Sequence, residues 1–229
     1  MSDPRPIALV MALRKLGISD LRVLCAIERT PRELFVDAPF AHAAYENTAL
    51  PIACGQTISQ PYVVAYVAEA LEIGPKMRVL EVGTGSGYQA AVLSPLCRKV
   101  YTIERHAPLR NQAEARFKAL KLENIVTKHG DGLEGWSEQA PFDRILLSAS
   151  VPDVPPILTE QLKPGGILVA PLGPATLAGP ESISQLLTKM IRSDSGLRRE
   201  ALIPVVFVPM VSGVPREPRK PHEGSDRKA

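Results

Sequence analysis

With 229 residues, 45% of them apolar, and a net charge of +3, the chain is long enough to bury a full core as one α/β domain with additions at its ends. From Pro215 onward five basic residues (Arg216, Arg219, Lys220, Arg227, Lys228) face three acidic ones (Glu217, Glu223, Asp226), so the body carries only about +1, which argues against a nucleic-acid partner. Cys25, Cys54 and Cys97 stand far apart, the four histidines do not cluster with them, and no stretch approaches a membrane span. Disulfides, a metal site, a cleaved leader and a membrane anchor are therefore unexpected, and a reducing cytoplasm is the default compartment.

Residues 6–16 are apolar enough for a helix that Gly17 ends. Ser19 or Asp20 can cap a second helix reaching about Arg29, with Leu21, Leu24 and Ile27 on one side. Thr30-Pro31-Arg32-Glu33 reads as a capping box with proline at the first helical position. These segments predict a small helical cap, residues 1–58, ahead of a sheet core over 59–213. Residues 50–61 form a loop into a helix over 60–71. Local physics makes Ser59 its N-cap, but Tyr62 rather than a glutamate stands three residues on, so no capping box holds the serine and a turn toward a ligand stays open to it.

The central stretch is Val79-Leu80-Glu81-Val82-Gly83-Thr84-Gly85-Ser86-Gly87, a buried parallel strand running into a tight glycine turn and then a helix. Such a turn at the carboxyl end of a strand forms the usual crevice for an adenosine-containing cofactor. A dinucleotide fingerprint needs glycine where Tyr88 stands, which disfavours an NAD-dependent oxidoreductase. A second strand over 100–103 ends at Glu104, a carboxylate able to accept bonds from both ribose hydroxyls, or else a plain solvated charge. A helix over 107–120, a third strand over 125–129, the turn Gly130-Asp131-Gly132 and a fourth strand over 142–147 follow. Then come a short helix over 158–162, a turn at 163–166, a fifth strand over 167–170 and a closing antiparallel pair over 186–191 and 205–208. Residues 214–229, rich in proline and charge, read as a disordered tail.

Glu-x-Gly-x-Gly-x-Gly resembles the first motif of class I S-adenosylmethionine-dependent methyltransferases. Together with Pro31 to Asp37, Tyr45-Glu46-Asn47, Gly55-Gln56-Thr57-Ile58-Ser59-Gln60-Pro61, Gly130-Asp131-Gly132 with Trp136, Ala140-Pro141-Phe142-Asp143 and Phe207-Val208-Pro209-Met210, it resembles the protein-L-isoaspartate (D-aspartate) O-methyltransferases. The resemblance implies a doubly wound, mostly parallel seven-stranded sheet with S-adenosyl-L-methionine as cofactor. It further implies cofactor contacts at Gln56, Thr57, Ile58, Glu81, Gly83, Thr84, Gly85, Gly87, Glu104, Asp131 and Gly132, and a catalytic role for Ser59 in orienting the acceptor.

That acceptor would be the free carboxylate of L-isoaspartyl or D-aspartyl residues in damaged, flexible protein segments, met by a monomer. A carboxyl with pKa about 4 is already ionised at neutral pH, so no strong base is needed. Ala53, where the family usually has glycine, and Ser148-Ala149-Ser150, in place of Thr-Ala-Ala, are departures bearing on the loop path and the substrate rim. Two rival readings are a methyltransferase of this fold acting on a small molecule or RNA, and a non-catalytic protein that binds the same cofactor.

Overall fold

The computed structural model describes residues 3–173 and 185–215, and all but the first two residues of the expected tail lie outside them. The cap opens with helices α1 (Arg5–Lys15) and α2 (Leu21–Arg29), separated at Gly17 with φ +100°. Asp20 caps α2 by accepting from the Arg22 amide, while Ser19 gives its amide and hydroxyl to Glu69. The face α2 buries is Val23, Leu24, Ala26 and Ile27; Leu21, expected on it, is 70% exposed in the first turn.

The expected capping box at Thr30 does not form. The Thr30 hydroxyl donates back to the Ala26 carbonyl at 2.7 Å, and Glu33 instead accepts the Tyr45 hydroxyl. Arg32–Phe35 close as a single 3-10 turn. The expected loop over 50–61 contains a small antiparallel hairpin, β1 (Leu50–Ile52) with β2 (Gln56–Ile58).

Helix α3 (Pro61–Ala70) begins without help from Ser59. Asn47 Oδ1 accepts the Tyr62 amide at 2.9 Å, and Gln60 Nε2 donates to the Asn47 carbonyl at 2.8 Å. The first turn therefore has its acceptor, as helix ends require, from a residue fifteen positions upstream.

The main sheet holds β3 (Arg78–Val82), β4 (Lys99–Glu104), β5 (Ile125–His129), β6 (Phe142–Leu147), β7 (Leu162–Leu172), β8 (Gln185–Ser193) and β9 (Gly196–Val205) in the order β5-β4-β3-β6-β7-β8-β9. The first five of that order pair in parallel; β8 and β9 are antiparallel. The apolar runs are buried on both faces, as a covered parallel sheet requires. Val79, Val100, Leu146 and Val169 join a core with α1, α2, α3, α4 (Tyr88–Leu93) and α5 (Ala107–Ala119). Their alternates Leu80, Tyr101, Leu147 and Leu168 join a second core with Leu158 of α6 (Pro156–Glu160).

Two strand expectations shift. The turn over 163–166 lies inside β7 as an irregularity, because Phe142 pairs with Leu162 while Arg144 pairs with Ile167. The last strand is Gly196–Val205, not 205–208: Leu197 to Pro204 mixes Arg198, Arg199 and Glu200 into a half-exposed edge, which hides its apolar alternation. From β3 the chain winds outward through β4 to β5, then returns to β6 on the other side of β3. That reversal opens a crevice at the carboxyl end of β3.

Candidate active site

The crevice is a cleft floored by the glycine turn, the kind of concave site a small molecule occupies. Gly83, Gly85 and Gly87 all hold positive φ, at +98°, +54° and +90°, which side-chain-bearing residues adopt only under strain. They do different work. A Cβ on Gly85 would meet nothing nearer than Ile52 Cδ1 at 3.8 Å, so its bare α-carbon faces the open cleft. A Cβ on Gly87 would sit 2.8 Å from the Phe117 ring and 3.1 Å from Ala113, so this glycine lets α5 pack against the turn, and it does not line the cleft.

Glu81 and Thr102 are register partners on β3 and β4, and the Thr102 hydroxyl donates to Glu81 Oε2 at 2.7 Å. Thr84 Oγ1 meets Thr102 Oγ1 at 2.7 Å, so its side chain points inward beneath the turn. Glu81 is fully buried, and its Oε1 has no partner among the described residues. Burial pushes its carboxyl up to about 8, against the opposing pull of the Thr102 hydrogen bond.

Glu104, at the end of β4, accepts the Gly85 amide on Oε2 at 2.8 Å and the His106 amide on Oε1 at 2.9 Å. Each oxygen keeps a second lone pair for a ligand, in a position the backbone fixes. Gly132 lines the cleft, and a Cβ there would overlap Val82 Cγ1 at 2.2 Å. Asp131 does not line it: its Oδ1 caps the next turn through the Leu133 amide, and its Oδ2 holds the Gly213 amide at 2.5 Å.

Gln56, Thr57, Ile58 and Ser59 form one wall of this cleft. A second cleft opens on the far side of the same wall, bounded by Tyr62 on α3 and by residues 203–208, and the two share Thr57, Ser59, Ser148 and Val208. With the helix capped by Asn47, the Ser59 hydroxyl has no hydrogen-bond partner among the described residues and sits on this shared wall. The structure thus brings Ser59 together with nine of the eleven other predicted site residues; Gly87 and Asp131 stand one layer behind the cleft.

Residues 207–213 form a strap that sequence patterning alone does not reveal. Val208 O accepts the Ser150 amide at 2.9 Å, and the Met210 amide donates to Ser150 O at 2.8 Å. Gln185 grips Phe207 at both ends, accepting its amide at 2.6 Å and donating to its carbonyl at 3.0 Å. Arg105 Nε donates to Gly213 O at 3.0 Å on the opposite rim. The strap contributes Val208 through Val211 to the cleft, and Ser86, Gln89 and His106 line it as well. Phe207 to Met210 stands among the segments of the family resemblance, the one signal that could have singled it out.

The residues present fit a ribose-bearing, sulfonium-bearing nucleoside. Gly85 leaves backbone open to close approach, Glu104 offers fixed acceptors for a diol, and Glu81 keeps an unpartnered buried carboxyl oxygen nearby.

A profile of the family described as protein-L-isoaspartate(D-aspartate) O-methyltransferase matches residues 5–215. The protein-L-isoaspartate O-methyltransferase of Paramagnetospirillum magneticum is 56% identical over 216 residues, 94% of this chain and 99% of that one. The protein of the same name from Parvibaculum lavamentivorans is 54% identical, covering 94% of this chain and 95% of its own. A solved protein-L-isoaspartate O-methyltransferase superposes with TM-score 0.79 at 29% identity, covering 89% of this chain and 65% of that longer one. A Plasmodium falciparum structure described as a relative of the same kind, in complex with S-adenosyl-L-homocysteine, shares the fold with TM-score 0.74 at 24% identity, covering 92% and 99% of the two chains. On profile, identity and coverage together, the chain belongs to the protein-L-isoaspartate(D-aspartate) O-methyltransferase family.

Proposed function

We propose that this chain methylates the free carboxylate of L-isoaspartyl and D-aspartyl residues in damaged proteins and peptides, the first cleft taking the cofactor and the second the peptide. The observation that carries this reading is the shared wall: Ser59, whose hydroxyl has no partner among the described residues, borders both clefts beside Thr57, Ser148 and Val208. When bound, S-adenosylmethionine supplies the electrophilic methyl group. Gly83, Gly85 and the backbone of Thr84 cradle it, Glu104 accepts from its ribose, and Gln56 to Ile58 close one side.

On the acceptor side Ser59 Oγ donates to one carboxylate oxygen and leaves the other to react. The acceptor arrives ionised, so the chain has no proton to remove. Its work is to aim the carboxylate and to strip water from it, for which the apolar rim of Val205, Phe207 and Val208 is suited. The open second cleft suits an extended segment more than a folded partner.

The same reading takes residues 1–213 as one unit, since one of the two cores runs from Leu9 of α1 to Val205 of β9. It takes the near-neutral body to act on peptides without nucleic acid, as a monomer in the cytoplasm. Among the described residues no helix is long and apolar enough to cross a membrane. The test offers paired peptides, one isoaspartyl and one aspartyl, with methyl-labelled cofactor. Base-labile volatile methanol from the isoaspartyl peptide alone is expected; equal labelling of both would rule out repair specificity.

A further inference from the structure

Arg32 is completely buried, yet among the described residues it makes no ion pair. Its Nη2 donates to the Ser59 carbonyl at 2.9 Å and to the Thr48 carbonyl at 3.3 Å, and its Cζ lies 4.7 Å from the centre of the Tyr88 ring. Among the described residues Nε and Nη1 have no hydrogen-bond partner, and neither does the Tyr88 hydroxyl. Tyr88 follows directly on the glycine turn, and Phe35 holds its ring edge-on at 5.5 Å. Thr48 and Ser59 both border the second cleft.

A buried guanidinium satisfied only by carbonyls and an aromatic face is an expensive choice for stability, because a well-packed apolar side chain would avoid the desolvation. What it gains here is a single nitrogen, Nη2, that ties two backbone carbonyls on one side of the wall, while the guanidinium plane rests on the first residue of α4 on the other. The wall bearing Ser59 is thereby registered against the cofactor turn.

We propose that Arg32 is a positioning residue for methyl transfer, fixing the backbone that carries Ser59 relative to the glycine turn and so setting where the acceptor carboxylate is held. This rests on the reading of Ser59 as the acceptor's partner. Arg32 lines neither cleft itself, and although Tyr88 beneath it lines the first, the glycine turn is held by Glu104 and by its own backbone, so the proposal requires loss of Arg32 to act through Ser59 with cofactor binding kept.

The test uses the full chain as wild type, Arg32→Met, Arg32→Lys, Ser59→Ala and the two double variants, with cofactor affinity from calorimetry and kcat and KM from an isoaspartyl peptide. Arg32→Met is expected to lower kcat/KM about tenfold or more, the scale of a small misplacement, while the cofactor Kd stays within about twofold. Arg32→Lys should recover part of that loss, since an ammonium can still donate to the carbonyls. In the Ser59→Ala background the same substitutions should cost about threefold or less, because the group being aimed is gone.

Should Arg32→Met fail to fold, the lysine variant in the two backgrounds decides by the same criterion. Equal losses in both backgrounds, wild-type kcat/KM in either Arg32 variant, or a cofactor affinity that falls in step with kcat/KM would overturn the proposal alone. Full turnover in Ser59→Ala by itself would overturn the serine reading, and this proposal with it.

Discussion

The two walls of the active site are built on opposite principles. The cofactor wall is local: strand β3, three glycines and helix α4 are consecutive, and the positive φ values of Gly83, Gly85 and Gly87 shape the turn. The acceptor wall is assembled from distant pieces. Asn47 caps α3 from fifteen residues away, Arg32 grips Ser59 from twenty-seven away, and the strap over 207–213 closes the rim from the far end of the chain. A turn built from consecutive residues keeps its shape wherever its helix and strand form. A wall built from tethers can be loosened one tether at a time, and each loosening should spare the cofactor.

The largest effect separating the walls should come from Gly85→Val. The side chain meets no protein atom but enters the cleft, and the backbone at φ +54° costs a β-branched residue about 1–2 kcal/mol. Calorimetry should find cofactor affinity down by roughly 100-fold or more, about 2.7 kcal/mol, in a chain that still unfolds cooperatively. Unchanged affinity would remove the turn from the cofactor site. Ser59→Ala is the converse break: kcat/KM for an isoaspartyl peptide is expected to fall about tenfold or more with cofactor affinity held, whereas unchanged turnover would leave that hydroxyl no role.

What could be read from the sequence follows the same division. Strands β5 and β6 come out at their observed bounds, β6 because its apolar residues are buried between turn residues and β5, a partly exposed edge strand, because turn residues bracket it. Ser59 as a cap and Thr30-Glu33 as a capping box are sound local inferences that lose to other contacts, the distant Asn47 in one case and, in the other, the distant Tyr45 together with the Ala26 carbonyl one turn back. The strand at Gly196–Val205 was masked by its own exposure, its charged residues facing water at the sheet edge. The glycine turn and Glu104 were legible; the reason Ser59 is available was not.

Smaller effects sharpen the contrast. Glu81 has its carboxyl raised to about 8 in the folded chain, against about 4.5 for an ordinary glutamate, so the folded state binds the extra proton between those values. Stability of the cofactor-free protein should therefore be fullest below about pH 4.5 as far as this group is concerned and fall as pH rises toward 8, by at most about 1.4 kcal/mol per unit. Glu81→Gln should flatten that slope in denaturant titrations across the window, and an unaltered slope would assign it to other groups. The smallest effect belongs to Asn47→Ala, which removes a cap worth about 1 kcal/mol. It should lower the unfolding midpoint modestly and return the Ser59 hydroxyl to compete for the freed Tyr62 amide, so turnover falls with it. A variant that loses stability but keeps full turnover would separate the cap from the serine's availability.

The most direct test of two clefts meeting at one serine is a crystal structure with S-adenosylhomocysteine and an isoaspartyl peptide bound together. The nucleoside is expected over Gly85 with its ribose on Glu104, and the peptide carboxylate within about 3 Å of Ser59 Oγ. A peptide carboxylate bound away from that hydroxyl, with the nucleoside in place, would contradict the account.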